Sequence, residues 1–150
     1  MSKTRVLVAD GETLYREGIC AMLGAQQDIK VAGRARTTTE LIAKAQKCHP
    51  DVILVETALE TGDSPQTVRS LKNGNVDVKV LLVSHHEDDG HILAGLMSGC
   101  DGYILKKAAA SDLVSAIRAV QKGGFYLYPS VARVVINDCV QRFREMRETA

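Results

Sequence analysis

PDVILVE, residues Pro50 to Glu56, is a run of β-favouring apolar side chains that opens after a proline and stops on a carboxylate. It is too short for a helix, and an unbroken apolar run of this kind fits a strand buried on both faces, as in a parallel sheet covered by helices on each side. In such open sheets the functional crevice lies beyond the carboxyl ends of the strands, so Glu56 faces the site. RVLVAD, Arg5 to Asp10, has the same grammar and brings a second acid to the same edge.

Working outward, the remaining segments alternate. Thr13 to Ala25 carries Leu14, Ile19, Met22 and Leu23 at helical spacing, with Thr13 as a cap and Gly24 near the end. Asp28 to Ala35 alternates weakly, as a strand near a sheet edge does, and Thr37 caps a helix that closes at Cys48, before Pro50. After Glu56 the polar loop TALETGDSP, with Gly62 and Pro65, leads into a helix from about Pro65 to Lys72 that ends at Asn73-Gly74. VKVLLVS, Val78 to Ser84, is a buried strand ending on a hydroxyl. A helix with Ile92, Leu93, Leu96 and Met97 follows and stops at Gly99; DGYIL, Asp101 to Leu105, is a short strand running into Lys106 and Lys107. Ser111 then caps a helix with the apolar face Leu113, Val114, Ile117 and Val120, ended by Gly123-Gly124.

Strands and helices that alternate in this way, joined by right-handed crossovers, predict a doubly wound α/β sheet. The flavodoxin-like order 2-1-3-4-5 is the five-stranded solution. That order sets Asp10, Glu56, Ser84 and Lys106 side by side. Residues 1–125 form this unit; 126–150 form a C-terminal helical extension, where Val131, Val135, Cys139, Phe143 and Met146 make a narrow apolar stripe that needs a partner surface.

The totals exclude several classes. At 150 residues one core is expected, and 19 Lys+Arg against 18 Asp+Glu leave no overall basic field for nucleic acid or an anionic membrane. No apolar run approaches the roughly 18 residues needed to span a bilayer. The N-terminus enters a strand directly instead of forming a signal peptide, so a cytoplasmic protein is expected. The scattered Cys20, Cys48, Cys100 and Cys139 read as free thiols of a reducing compartment. HHEDDGH, His85 to His91, sets three imidazoles near acids. His85 and His86 point apart if extended, however, and the spacing matches no compact ligand motif, so it reads as a solvated loop without metal. GCDG and KGG lack the strand-turn-helix context of a nucleotide loop, and no nucleophilic triad is present.

Acid, acid, hydroxyl and lysine at successive strand ends resemble a two-component receiver domain, over Arg5 to about Pro129. VADGETLYREGI, SGCDGYILKKAAASDLVSAIRAVQKGG and YPSVARVV resemble the LuxR-type subfamily. The resemblance implies an acidic pocket for magnesium, a third-strand aspartate that accepts phosphate from a histidine kinase, a hydroxyl and a lysine that contact the phosphoryl group, and an aromatic that reports the change. By position these are Asp10 with a second acid, Glu56, Ser84, Lys106 and Tyr103. Taken alone, Tyr103 could equally be core packing.

Three departures stand out. Gly11 occupies the second acid's place and Glu12, displaced by one, would point elsewhere if the strand continued. Glu56 replaces the aspartate and, one methylene longer, carries its carboxylate to about where the modified group belongs. Glu60 stands where the loop's proline is expected. Phosphoryl transfer depends on positioning to about 1 Å, and magnesium demands near-octahedral oxygens, so weak or lost magnesium binding and no useful phosphorylation are expected. A Glu56–Lys106 contact would replace the switchable phosphate and lock one conformation, either active-like, with glutamate imitating phosphate, or inactive.

The expected function is that of an atypical, non-enzymatic receiver working through protein contacts. It would form a homodimer, have a histidine kinase or other regulatory protein as partner, reach DNA only through a helix-turn-helix domain absent from this chain, and have no membrane role. Two alternatives stay open: a phosphorylatable receiver with Asp10, Glu12 and a rearranged Glu56, and a small-ligand sensor whose crevice takes an anion or metabolite.

Overall fold

The computed structural model describes residues 2–59, 64–75 and 77–149. The expectations placed on Glu60 and Gly62 lie outside them. In chain order the elements are β1 (Thr4–Ala9), α1 (Thr13–Gly24), β2 (Ile29–Ala35), α2 (Thr38–Cys48), β3 (Val52–Glu56), α3 (Ser64–Gly74), β4 (Lys79–Ser84), α4 (Asp89–Leu96), β5 (Gly102–Leu105), α5 (Ala110–Gln121), β6 (Tyr126–Leu127) and α6 (Pro129–Thr149). The sheet order is β2-β1-β3-β4-β5-β6 and every pairing is parallel. The expected order stands, with β2 at one edge.

Alternation along the strands explains the two cores. Leu7, Ile53, Val55, Leu82 and Tyr103 face one layer with Leu41, Val68, Leu71 and Ile92 of α2, α3 and α4. Val6, Val8, Leu54, Leu81 and Ile104 face the other with Leu23 of α1 and Leu113 and Ile117 of α5. All five residues of β3 are buried, as a central parallel strand demands.

The sheet has six strands where five were expected. Tyr126 and Leu127 pair with Gly102 and Tyr103 of β5. Two residues are too few to show a period, so pattern alone cannot reveal them. The pairing also needs a glycine, because a Cβ on Gly102 would stand 2.8 Å from the Tyr126 carbonyl oxygen. The first turn of α6 is likewise tied to the sheet unit, with Val131 fully buried in the core that holds Tyr103. Further along α6, Ile136, Phe143 and Met146 are exposed.

Two caps differ from expectation. The N-cap of α1 is Glu12 rather than Thr13. That of α5 is Ala109 rather than Ser111, and the Asp112 carboxylate accepts the Ala109 N–H. Thr37 caps α2 as expected, accepting the Glu40 N–H at 3.2 Å. No helix among the described residues is long and apolar enough to cross a membrane.

Gly102→Ala should separate β6 from β5 and cost about 1–3 kcal/mol through overpacking. The measurement is chemical denaturation together with amide exchange at Tyr126 and Tyr128, whose N–H groups bond Asp101 and Tyr103 carbonyls. Unchanged protection there would refute the role given to the glycine.

Candidate functional site

Parallel register brings the strand ends together. Glu56 is the last residue of β3 and pairs with Val83; Ser84 closes β4 and pairs with Leu105. Asp10 and Lys106 are the first residues beyond β1 and β5. The Lys106 N–H donates to the Ser84 carbonyl at 2.8 Å, which fixes where the lysine leaves the sheet.

From there the Lys106 ammonium reaches three carboxylates. Its Nζ lies 2.8 Å from Asp10 Oδ2, 2.5 Å from Glu12 Oε1 and 2.5 Å from Glu56 Oε2. The lysine side chain is only 4% exposed, Asp10 and Glu56 are also buried, and Glu12 is half open to solvent. The ammonium also sits 4.4 Å from the centroid of the Tyr15 ring, within cation–π range. The other Glu56 oxygen accepts the Gly11 N–H at 3.1 Å, and Asp10 Oδ1 accepts the Glu12 N–H at 2.8 Å.

Glu12 corrects an expectation. It points into the site because β1 ends at Ala9, so strand alternation no longer governs residue 12, which caps α1 instead. His85 Nε2 meets the same Glu12 oxygen at 2.7 Å.

The charge state follows from this packing. Burial alone would lower the Lys106 ammonium's pKa, but hydrogen bonds to Asp10, Glu12 and Glu56 outweigh it and hold the group above the usual lysine range. Burial raises the Asp10 carboxyl, opposed by the Lys106 hydrogen bond. Glu12 is lowered to about 2, first by the Lys106 hydrogen bond and then by His85. The Tyr15 phenol is pushed up to about 12 by burial.

Ser84 and Tyr103 stand beside this centre rather than in it. The buried Ser84 Oγ accepts from Thr57 Oγ1 and from the His86 N–H, each at 2.9 Å, and so joins the loops after β3 and β4. Tyr103 is fully buried, and its hydroxyl has no hydrogen-bond partner among the described residues. Its ring lies against α4 where a Cβ on Gly95 would be 2.7 Å from Cε2, so the glycine makes room for the aromatic.

Sequence reasoning missed Tyr15, Arg16, Thr57 and the Gly11 N–H. Arg16 is buried and donates to the Asp10 carbonyl at 2.8 Å, holding the turn after β1. Only Thr57 had a readable signal, a hydroxyl directly after the strand-ending acid. A cavity of about 250 Å³ lies at the opposite end of the sheet, between α2 and α3, lined by Ile42, His49, Ile53, Leu71 and Val78 among others.

Residues 6–118 match the response regulator receiver domain family. The response regulator protein VraR of Staphylococcus aureus is 33% identical over 127 residues, covering 85% of this chain and 61% of VraR. The transcriptional regulatory protein DegU of Brevibacillus brevis is 29% identical over 137 residues, covering 91% of this chain and 58% of DegU. The chain thus spans about three fifths of these curated relatives. Among solved structures, the signal receiver domain of NarL from Mycobacterium tuberculosis superposes with a TM-score of 0.77 at 27% identity, over 82% of this chain and 99% of that one.

Lys106→Met should leave buried carboxylates facing one another and destabilise the fold by about 3–5 kcal/mol, read by urea denaturation at pH 7. Glu12→Gln tests the acid limb. Because Glu12 is lowered from 4.5 to about 2, its stabilising effect is complete above pH 4.5 and lost as pH falls toward 2. As a half-exposed group it contributes under about 1 kcal/mol. The gap in Tm between wild type and Glu12→Gln should therefore close between those pH values.

Proposed function

The chain belongs to the response regulator receiver domain family, and from that premise we propose that it is the atypical receiver of a LuxR-type transcriptional response regulator, acting through protein contacts without being phosphorylated. The observation that carries this reading is the Lys106–Glu56 ion pair at 2.5 Å. In this reading Glu56 takes the position of the phosphate-accepting aspartate, and its longer side chain already meets the lysine that would otherwise contact the phosphoryl group. An internal carboxylate then occupies the lysine permanently and holds the domain in one conformation.

Receiver domains normally bind Mg²⁺ at an acidic site. Asp10, Glu12 and Glu56 have the oxygen chemistry such an ion prefers. The fit is poor, because one oxygen of each already faces the Lys106 ammonium within 2.8 Å and the ammonium fills the space between them. This supports weak or lost magnesium binding. Without an activating ion, only the Lys106 ammonium, already shared among three carboxylates, opposes the repulsion between a carboxylate nucleophile and an anionic phosphodonor, which supports a non-enzymatic role.

The output is proposed to run through surfaces. Residues 1–125 together with β6 and the first turn of α6 act as the receiver, and the rest of α6 acts as the extension leading to a DNA-binding helix-turn-helix domain, consistent with the relatives' greater length. A cytoplasmic homodimer, engaged by a histidine kinase or another regulatory protein, is the working assembly. Exposed Ile136, Phe143 and Met146 on α6 are suited to apolar contact. One observation favours the alternative of a rebuilt phosphoacceptor site: Glu12 turns inward and restores a second acid beside Asp10.

Intact mass after incubation with acetyl phosphate and Mg²⁺ separates the two. No added phosphoryl group, with molar mass by light scattering unchanged, is the expected result. A phosphorylated mass with altered association would establish the alternative. Glu56→Asp, one methylene shorter, should loosen the contact with Lys106 and gain Mg²⁺-dependent phosphorylation in the same assay.

A further inference from the structure

The loop between β4 and α4 holds a cluster that the receiver function does not use. α4 begins at Asp89, so Asp88 is its N-cap and His91 lies one turn further on, on the same face. Asp88 Oδ2 accepts the His91 N–H at 3.2 Å, which anchors the carboxylate. Its other oxygen, Oδ1, lies 2.9 Å from His91 Nδ1 and 3.9 Å from His86 Nδ1. The two imidazole rings are stacked, centroids 4.0 Å apart and 8° from parallel. One ligand atom from each of the three residues falls within 4.8 Å of the others. His85 turns away to Glu12.

We propose that His86, Asp88 and His91 form a binding site for a divalent transition-metal ion of borderline softness, Zn²⁺ above all. Two imidazole nitrogens and one carboxylate oxygen select against Mg²⁺ and Ca²⁺, which require mainly oxygen ligands. Ligands at about 2.0–2.2 Å in a tetrahedron stand about 3.3 Å apart. The present separations bracket that value. Parallel rings direct their lone pairs side by side, so the rings must tilt toward the ion, and all three side chains are exposed enough to do so. Three protein ligands leave the fourth position to water.

Charge around the cluster offsets the repulsion between a cation and the positive end of α4. The Asp88 carboxylate, held by the His91 N–H, supplies negative charge at the cluster itself. Glu87 and Asp89 flank it, Glu87 being paired with Lys107 at 2.5 Å. A bound ion would tie the β4–α4 loop to the first turn of α4. The His86 N–H already anchors that loop to Ser84, so the ion would stiffen the edge of the lysine site.

The test is titration of the full chain, after chelator treatment, with Zn²⁺ and with Co²⁺, read by calorimetry, visible absorption and Tm. One equivalent should bind and raise Tm. His86→Gln and His91→Gln should each weaken binding by at least about tenfold, since loss of a ligand should cost no less than loss of an outer-shell partner. His49→Asn, at the remaining histidine, should leave it unchanged. The Co²⁺ spectrum should lack a thiolate charge-transfer band, because the three ligands carry no sulfur; this separates the site from one supplied by the exposed Cys139. No binding would overturn the proposal, as would a thiolate band. Loss in His85→Gln with retention in His91→Gln would also overturn it, by moving the ion to Glu12, Glu56 and His85, which also converge.

Discussion

A single buried ammonium organises the functional edge of this molecule. Lys106 is surrounded by Asp10, Glu12 and Glu56, and without it three carboxylates would face one another with no cation between them. The dependence is mutual, because an isolated ammonium so little exposed would tend to shed its proton. Three acids and one base in a nearly closed space leave a net negative charge. The Gly11 N–H and the solvent around half-exposed Glu12 relieve part of it, while the Tyr15 ring face helps to hold the ammonium itself.

The rest of the fold serves to hold that meeting in place. β1, β3 and β5 reach the edge in parallel register, and both faces of β3 are sealed by apolar layers, so the strand ends cannot drift. Arg16 and Asp10 clamp the turn after β1, while Thr57 and Ser84 join the loops after β3 and β4. On the other side of Ser84, Tyr103 couples β5 to α4 through the gap at Gly95. The Ser84 hydroxyl is thus bonded to the β4–α4 loop, and Tyr103 lies on the strand that pairs with β6.

Much of the site could be read because open parallel sheets deliver strand-end residues to one edge. Asp10, Glu56, Ser84 and Lys106 each follow or finish a recognisable apolar run. Glu12 escaped that logic, as strand alternation was carried past the end of the strand into a helix cap. Tyr15 and Arg16 escaped it too. They reach the centre from α1, and helical spacing says which residues share a face but not which distant strand end the face meets. β6 was hidden by its length, two residues whose pairing rests on a glycine in a neighbouring strand.

The sequence by itself determined the alternation of elements, the strand order, the two-faced core and the identity of the acids, hydroxyl and lysine at the sheet edge, because periodicity and strand-end chemistry are local properties of the chain. Only the tertiary structure decided that Glu12 joins the lysine, that Ser84 bonds Thr57 and the loop instead of the charged centre, and that His86, Asp88 and His91 converge while His85 departs. These depend on side-chain reach across residues far apart in sequence or on the residue at which a helix begins. Such distances arise only when the whole sheet has set the spacing between its edges.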